Sequence, residues 1–244
     1  MSIGESLRIP SVCGYRVVRS YPHDPEAFTQ GLIRHNGFFY ESVGEYGRSE
    51  LRKVEPASGR VLARRRLDDS LWAEGIALVG ADRIVQLTWR QHRGFVCRRN
   101  DLSVVSEFEY DTEGWGLASD GNRLIMSDGT DQLYWLDPDA LVQRPLVRVT
   151  SAGVPVRDVN ELQMIGDDLY ANILDTDRIA RIDLATGAVI AWMDLSGLDP
   201  YAGGNRPGGA VLNGVAYDRN EGKIFVAGKL WPEIHEVEFV CGSP

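Results

Sequence analysis

One carboxylate, Glu74, occupies a repeated position that elsewhere carries a neutral side chain. It lies in Leu71–Ile76, where a polar or aromatic residue is followed by glycine and then by an apolar residue. The second residue of this pattern recurs at positions 31, 75, 116, 161 and 214, at intervals of 44, 41, 45 and 53 residues. A lone carboxylate among neutral residues at equivalent positions is the first indication of function in this sequence. The five residues preceding those positions are Gln30, Glu74, Trp115, Asn160 and Asn213.

A recurring unit of this length is typical of blade or solenoid repeats. Short strand-like runs separated by turn residues fill each unit, and no segment sustains a 3.6-residue apolar period, so we expect almost no helix. The sequence contains four units of four predicted strands, a fifth unit of three, and one additional strand at Gly14–Tyr21. This arrangement predicts an all-β, five-bladed β-propeller. The N-terminal strand would complete the last, C-terminal blade. We expect one domain over residues 1–244, with 1–12 as a flexible leader.

Closure of the propeller by its two ends makes a prediction about the cysteines. Cys13 and Cys241 would be neighbours, able to form a disulfide worth about 4–5 kcal/mol on the chain-entropy model. In a reducing compartment they would instead remain two free thiols. Cys97 is expected to be a lone buried thiol, and the three cysteines fit no zinc motif.

Composition and charge disfavour several classes of partner. With 26 basic and 35 acidic residues the formal net charge is −9, which disfavours nucleic acid and anionic membrane surfaces. No apolar run has the length of a membrane span, and the first ten residues do not form a signal peptide. We expect a monomer.

In a propeller the first strand of each blade lines a central channel, so the five repeated positions would form a ring at one mouth. Convergent polar groups among aromatic walls are the usual small-molecule site, although such residues can also simply fill the channel. The second strands would add a neighbouring set, namely Glu41, Thr88, Trp89, Asn172 and Lys229.

Several strings, in order, resemble the plant and bacterial type of glutaminyl cyclase, the glutamine cyclotransferase family. They begin with Tyr21–Leu32 (YPHDPEAFTQGL) and span about residues 14 to 240. The resemblance implies a five-bladed propeller that converts the N-terminal glutamine of peptides or proteins into pyroglutamate and releases ammonia. It also implies that no metal is required, unlike in the zinc-dependent animal enzymes. The other strings are Glu113–Leu117, Met126–Gly129, Tyr170–Asn172, Leu212–Gly214 and Gly228–Pro232.

The same resemblance implies roles for individual residues. Glu74 would be the catalytic acid and base, and Lys229 and Asn160 would bind the substrate amide or its oxyanion. Apart from the resemblance, Glu113 is nearby in the sequence and is a weaker rival for the acid. This chain has Leu174 where family members often have tryptophan, so that wall would be thinner or supplied by Trp231. The remaining substrate-binding residues would be Gln30, Phe28, Trp89, Trp115 and Thr88.

Three alternatives stay open from the sequence. Glu74 and Lys229 could form an ordinary channel ion pair, and the chain could be a non-catalytic propeller that binds peptides or other ligands. A metal-dependent, lactonase-like hydrolase would gather Ca²⁺ ligands from Glu41, Asn160, Asn172 and Asn213. A structural Ca²⁺ in the channel is compatible with the cyclase as well. Family resemblance and the possible disulfide favour a periplasmic or secreted location.

Overall fold

The computed structural model describes residues 9–137 and 139–242, and over these ranges its regular structure consists of β-strands. The expectation of an all-β protein is therefore confirmed for the described residues. Strand β1 begins at Ser11, so the last two residues assigned to the leader belong to a strand, and residues 1–8 lie outside the description. The strands are β1 (Ser11–Pro22), β2 (Thr29–His35), β3 (Phe38–Val43), β4 (Glu50–Val54), β5 (Val61–Arg66), β6 (Ala73–Val79), β7 (Arg83–Thr88), β8 (Arg93–Arg98), β9 (Val104–Glu109), β10 (Leu117–Ser119), β11 (Leu124–Ser127), β12 (Gln132–Leu136), β13 (Gln143–Arg148), β14 (Thr150–Ser151), β15 (Val154–Pro155), β16 (Val159–Ile165), β17 (Asp168–Ile173), β18 (Arg178–Ile182), β19 (Val189–Asp194), β20 (Leu212–Asp218), β21 (Lys223–Gly228) and β22 (Glu233–Cys241).

The strands form three four-stranded sheets, one eight-stranded sheet and one hairpin. β2–β5, β6–β9 and β10–β13 are sheets with their strands in chain order. The large sheet has the order β16-β17-β18-β19-β1-β22-β21-β20. Within it β1 runs antiparallel to β22, and its first residues also pair in parallel with β19. The parallel contact and the β14–β15 hairpin are features that the sequence did not predict.

The first strands of the repeats pack side by side. β2 contacts β6, β6 contacts β10, β10 contacts β16, β16 contacts β20, and β20 contacts β2. These strands approach so closely that glycine is needed where they meet. A Cβ on Gly75 would lie 2.5 Å from the Trp115 carbonyl oxygen, and one on Gly116 would lie 2.0 Å from that of Asn160. Backbone-to-backbone approach thus explains three of the repeated glycines, Gly31, Gly75 and Gly116, whereas Gly214 adopts a positive φ of 131°.

Glu161, which replaces glycine in the fourth repeat, joins three of these strands. Its side chain is fully buried, and its two carboxyl oxygens accept hydrogen bonds from Leu32 N at 3.2 Å and Val215 N at 3.1 Å. Burial raises the pKa of Glu161 well above its usual value, while the two backbone donors oppose this shift. The residue therefore ties β16 to β2 and β20 instead of contacting the cavity described below.

The chain ends meet at a disulfide. Cys13 and Cys241 face each other in the β1–β22 register and are joined by a disulfide across a sequence separation of 228 residues. Cys97 is a free, buried cysteine on β8 whose thiol pKa is raised by burial. In the part of the chain that the structure describes, no helix is long and apolar enough to span a membrane.

Candidate active site

A cavity of about 200 Å³ lies where the first strands of the repeats begin. Its wall combines aromatic rings with two carboxamides, one carboxyl group and one amine. Of the residues that we expected at the catalytic and binding site, all except Thr88 and Trp231 line it. The lining residues are Phe28, Gln30, Trp72, Glu74, Trp89, Trp115, Asn160, Leu174 and Lys229.

The repeat explains how distant residues come together here. Gln30, Glu74 and Asn160 each occupy the second residue of a ring strand, β2, β6 and β16 respectively. Lys229 follows β21, and its backbone N–H donates to Val211 O at 2.9 Å, which fixes the loop after that strand. Side chains separated by more than forty residues therefore converge because each repeat places its polar residue at the same end of the ring.

Glu74 is the buried carboxyl group of the cavity, with 5 % of its surface exposed. Gln30 Nε2 donates a hydrogen bond to Glu74 Oε1 at 2.9 Å, and Asn213 Nδ2 lies 3.4 Å from Gln30 Oε1. Burial raises the pKa of Glu74 well above its usual value, Lys229 acts to lower it, and Glu113 raises it further. A carboxyl group in this environment can both accept and donate a proton near neutral pH.

Lys229 supplies the amine of the site. Only 6 % of the residue is exposed, and its Nζ lies 4.8 Å from the centroid of the Phe28 ring. Burial lowers the pKa of Lys229, while the nearby Glu74 carboxylate raises it. Among the described residues no carboxylate lies within the 4.0 Å of an ion pair with Lys229 Nζ. Glu74 and Lys229 therefore make no direct ion-pair contact, although each charge shifts the pKa of the other group.

Two residues of the cavity wall carry a polar atom without a protein partner. Within the described ranges, Asn160 Oδ1 and Trp72 Nε1 are buried and make no hydrogen bond. Trp72 Nε1 lies against Gly44, which does not line the cavity. Buried polar groups are normally paired, so Asn160 Oδ1 is the atom that an N–H donor of a bound molecule would complete. An amide or amine group has the required chemistry.

The two tryptophans that form one wall share a single acceptor. Trp89 Nε1 and Trp115 Nε1 donate to Glu113 Oε2 at 2.7 and 3.0 Å, and Arg90 Nε donates to Glu113 Oε1 at 2.8 Å. Burial opposes ionisation of Glu113, but these hydrogen bonds outweigh it and lower the pKa of that carboxyl group. Glu113 is therefore a poor candidate for the proton carrier, since it is engaged by three donors and does not line the cavity.

Two expected site residues lie elsewhere. Thr88 Oγ1 donates to Arg93 O at 2.6 Å, and the Thr88 carbonyl accepts from the Tyr110 hydroxyl. These hydrogen bonds fix the end of β7, and Thr88 does not line the cavity. Trp231 is 1 % exposed, and its indole covers Gly228, where a Cβ would lie 2.2 Å from the ring. The expectation that Trp231 replaces a missing wall is therefore wrong, because it packs in the core.

Trp72 is a wall residue that the sequence reasoning did not assign. Its ring packs against Phe28 at 5.7 Å and Trp89 at 5.6 Å between centroids. The available signal was its position two residues before Glu74 in the repeated motif. Leu174 itself lines the cavity, so the wall at that point is an aliphatic side chain.

Two of the four residues of the calcium alternative, Glu41 and Asn172, are engaged in other contacts, whereas the side-chain oxygens of Asn160 and Asn213 are buried without a hydrogen-bond partner among the described residues. Glu41 accepts from Thr29 Oγ1 at 2.7 Å and Arg52 Nε at 2.8 Å, and it lies 2.8 Å from His23 Nε2. Asn172 Oδ1 accepts from Gly214 N at 3.1 Å. Over residues 9–137 and 139–242 no group of three or more His, Cys, Asp or Glu side chains is arranged to hold a metal ion. Glu41 instead supports the loop that carries Phe28.

Comparisons with known proteins agree with one another. The family model for glutamine cyclotransferase matches residues 2–239. A glutaminyl-peptide cyclotransferase from Arabidopsis thaliana is 40 % identical over 231 residues, which cover 93 % of this chain and 72 % of the relative. The crystal structure of a glutaminyl cyclase from Myxococcus xanthus superposes with a TM-score of 0.90 at 35 % identity, covering 96 % of this chain and 100 % of that one. The WD40 β-propeller domain of Doa1 shares only the fold, with a TM-score of 0.51 at 10 % identity over 85 % of this chain and 62 % of that chain.

Proposed function

This chain belongs to the glutamine cyclotransferase family, and we propose from that premise that it is a glutaminyl-peptide cyclotransferase acting through Glu74. The enzyme converts an N-terminal glutamine of a peptide or protein into pyroglutamate and releases ammonia. The observation that carries the proposal is the buried Glu74 carboxyl group, whose raised pKa suits proton transfer, beside an amine and the partnerless Asn160 Oδ1. A cavity of about 200 Å³ is smaller than the usual drug-sized pocket and suits a single side chain.

The reaction needs little more than positioning and proton transfer. The α-amine nitrogen attacks the side-chain carboxamide carbon of the same residue, so the nucleophile is already tethered. A new N–C bond forms, and the bond from that carbon to the amide nitrogen breaks. The amine must be neutral, which costs little because its pKa is about 7.7–8.0. Aromatic walls from Phe28, Trp72, Trp89 and Trp115 would hold the folded conformer of the side chain.

Glu74 would carry the one proton that must move. As a carboxylate it accepts the proton that the α-amine loses on attack, and as a carboxylic acid it then donates this proton to the departing nitrogen. Ammonia leaves and the carboxylate is regenerated, so the cycle balances without another reagent. Gln30, which donates to Glu74 Oε1 at 2.9 Å, keeps the carboxyl group oriented for both transfers.

Lys229 and Asn160 would stabilise the tetrahedral intermediate and bind the amide. The carbonyl oxygen gains negative charge as the amine attacks, and a buried cationic donor such as Lys229 Nζ stabilises it in a site of low dielectric. Asn160 Oδ1, which lacks a protein partner, would accept from the N–H of the substrate amine or amide. Together they would favour the transition state over the extended ground state.

We also propose that the fold is a five-bladed propeller. The sheets β2–β5, β6–β9 and β10–β13 would be three blades. In the eight-stranded sheet, β16–β19 would be the fourth blade, and β20–β22 with β1 would be the fifth. This division is supported by the shortness of the ladder between β19 and β1, which consists of three residue pairs.

We propose three further properties of the enzyme. Metal-independent chemistry follows from the proton route above, which uses side chains only, and a structural Ca²⁺ in the channel stays compatible with it. A periplasmic or secreted location is favoured by the Cys13–Cys241 disulfide, because such bonds persist in oxidising compartments. A monomer remains the expected oligomeric state.

The experiment that tests the function uses a matched set of short peptides. The protein is incubated with a peptide that begins with glutamine, with its N-acetylated form, and with an isomer that has glutamine in the second position. We expect loss of one ammonia, detected by mass spectrometry, from the first peptide alone. Replacement of the side-chain NH2 by OH, seen as a small gain in peptide mass, would show hydrolysis of the side chain instead, and no loss of ammonia from any peptide would disprove the cyclase.

A further inference from the structure

Glu113 lies behind the cavity wall and is used by no step of the reaction described above. Its carboxylate nevertheless contacts two wall residues and one exposed cation. Oε2 accepts from the indole N–H groups of both Trp89 and Trp115, and Oε1 accepts from Arg90. No neutral side chain could receive three donors with the same strength, since hydrogen bonds to a carboxylate are about twice as strong as neutral ones.

The contact with one shared oxygen fixes the relative position of the two rings. Trp89 and Trp115 come from different repeats, after β7 and before β10, and both indole donors are engaged by Glu113. What the two rings can offer a ligand is therefore apolar surface. Arg90 covers the outer side, where its guanidinium carbon lies 3.8 Å from the centroid of the Trp89 ring.

The same carboxylate is a permanent negative charge near Glu74. The charged groups that shift the pKa of Glu74 are Lys229, which follows β21, and Glu113, which precedes β10. Glu74 in turn raises the pKa of Tyr110, which follows β9. Gln30 from β2 and Asn160 from β16 face the cavity as neutral amides. Glu113 is therefore the one group in this set that favours the protonated form of Glu74 by its charge.

We propose that Glu113 is a positioning residue for the reaction: its carboxylate accepts from both indoles and so orients the Trp89 and Trp115 wall, and it places a negative charge behind that wall. This inference rests on the proposed function for its kinetic consequences only. The geometry it describes belongs to the free protein, so it can be measured without substrate.

Two substitutions separate geometry from charge. Glu113→Gln keeps an oxygen that can accept from the indoles but removes the negative charge. Glu113→Asp keeps the charge but shortens the side chain, so that it can no longer reach both indoles and Arg90. Arg90→Gln removes the neutralising cation, and its effect on Glu74 should have the opposite sign to that of Glu113→Gln. Glu238→Gln is the control, because it makes the same change in an exposed ion pair with Arg16.

Protonation of Glu74 is followed by infrared difference titration of its carboxyl band, assigned by its loss in Glu74→Gln. Glu113→Gln should move the midpoint to lower pH by about 0.5–1 pH unit, as expected for a partly screened charge just beyond the wall. Arg90→Gln should move it to higher pH, and Glu113→Asp and Glu238→Gln should leave it within about 0.3 pH unit of wild type. An unchanged midpoint in Glu113→Gln, or a shift of the same sign in Arg90→Gln, would overturn the role of the charge.

Order of the wall is followed by near-ultraviolet circular dichroism, since the neighbouring Trp72 and Trp89 rings should couple. Glu113→Asp should weaken this signal and raise KM several-fold with a smaller change in kcat, whereas Glu113→Gln should affect kcat and its pH profile more than KM. Equal signals and equal KM in wild type and Glu113→Asp would refute the positioning role. If wild type releases no ammonia the cyclase proposal fails, but the titration and the dichroism still decide the role of Glu113.

Discussion

Replacement of Lys229 tests how the site handles charge. Lys229→Met keeps the length of the side chain but removes the cationic donor. The loss of one oxyanion donor costs about 10²–10³ in kcat in other enzymes. We expect a decrease of that size here, because Lys229 is 6 % exposed and solvent has little access to replace it.

The same substitution should shift the pH dependence of kcat. Glu74 and Lys229 line the same cavity of about 200 Å³, which is about 7 Å across if spherical, and two unit charges at that separation would interact by about 2 kcal/mol at an effective dielectric constant of about 20. The Lys229 cation lowers the pKa of Glu74. Its removal therefore raises that pKa, and since turnover needs the carboxylate, the acid limb of kcat should move to higher pH by about 1.5 pH units.

The assay measures ammonia release by Lys229→Met, Lys229→Arg and wild type between about pH 5 and pH 9. Lys229→Arg keeps the charge, so its acid limb should stay close to that of wild type even if its kcat falls, because guanidinium and ammonium groups differ in shape. The α-amine of the substrate titrates equally for all three proteins. Activity of Lys229→Met within about threefold of wild type, with an unmoved limb, would refute the assignment of Lys229.

Three further predictions concern stability, each measured by reversible urea unfolding. Cys13→Ser with Cys241→Ser should lower the free energy of unfolding by about 2–5 kcal/mol, because the disulfide spans 228 residues, and a change below about 1 kcal/mol would contradict this. Glu41→Gln should cost about 1–3 kcal/mol at pH 7, because the buried Arg52 loses one of its carboxylate partners and keeps Asp24 as another. These interactions lower the pKa of Glu41 in the folded protein. The difference in free energy of unfolding between wild type and Glu41→Gln should therefore be full above the unfolded pKa of about 4.3 and should shrink as pH falls below that value. A difference that stays constant from about pH 7 to about pH 3 would contradict this account. Glu161→Gln should cost about 1–3 kcal/mol, since one of two buried backbone N–H groups loses its acceptor, and unchanged stability would show that both remain paired.

The ring of site residues could be predicted from the sequence because the repeat sets it. Gln30, Glu74, Trp115 and Asn160 share one position in successive repeats, and the first strands place that position at one end of the molecule. All four line the cavity. The all-β architecture followed from the same spacing and from the absence of helical periodicity.

Two residues at or just beyond a strand end, Thr88 and Trp231, were assigned to the site wrongly. The direction of a loop side chain is set by its local partners, and strand periodicity carries no information about it. Trp231 turns over Gly228 into the core, and Thr88 turns towards the Arg93 carbonyl. The sequence marked Glu113 only as a possible acid, because its three donors are brought to it by the tertiary structure.

The most direct test of the account is ammonia release from a dipeptide amide that begins with glutamine, in excess EDTA, for wild type and Glu74→Gln. A glutamine side chain fills the same space but cannot carry a proton between the two nitrogens. We predict turnover by wild type and a loss of at least about a hundredfold in the variant, with the fold intact, in line with typical acid–base contributions. Turnover by Glu74→Gln close to that of wild type would contradict the central role of Glu74, and loss of wild-type turnover in EDTA would place a metal in the mechanism.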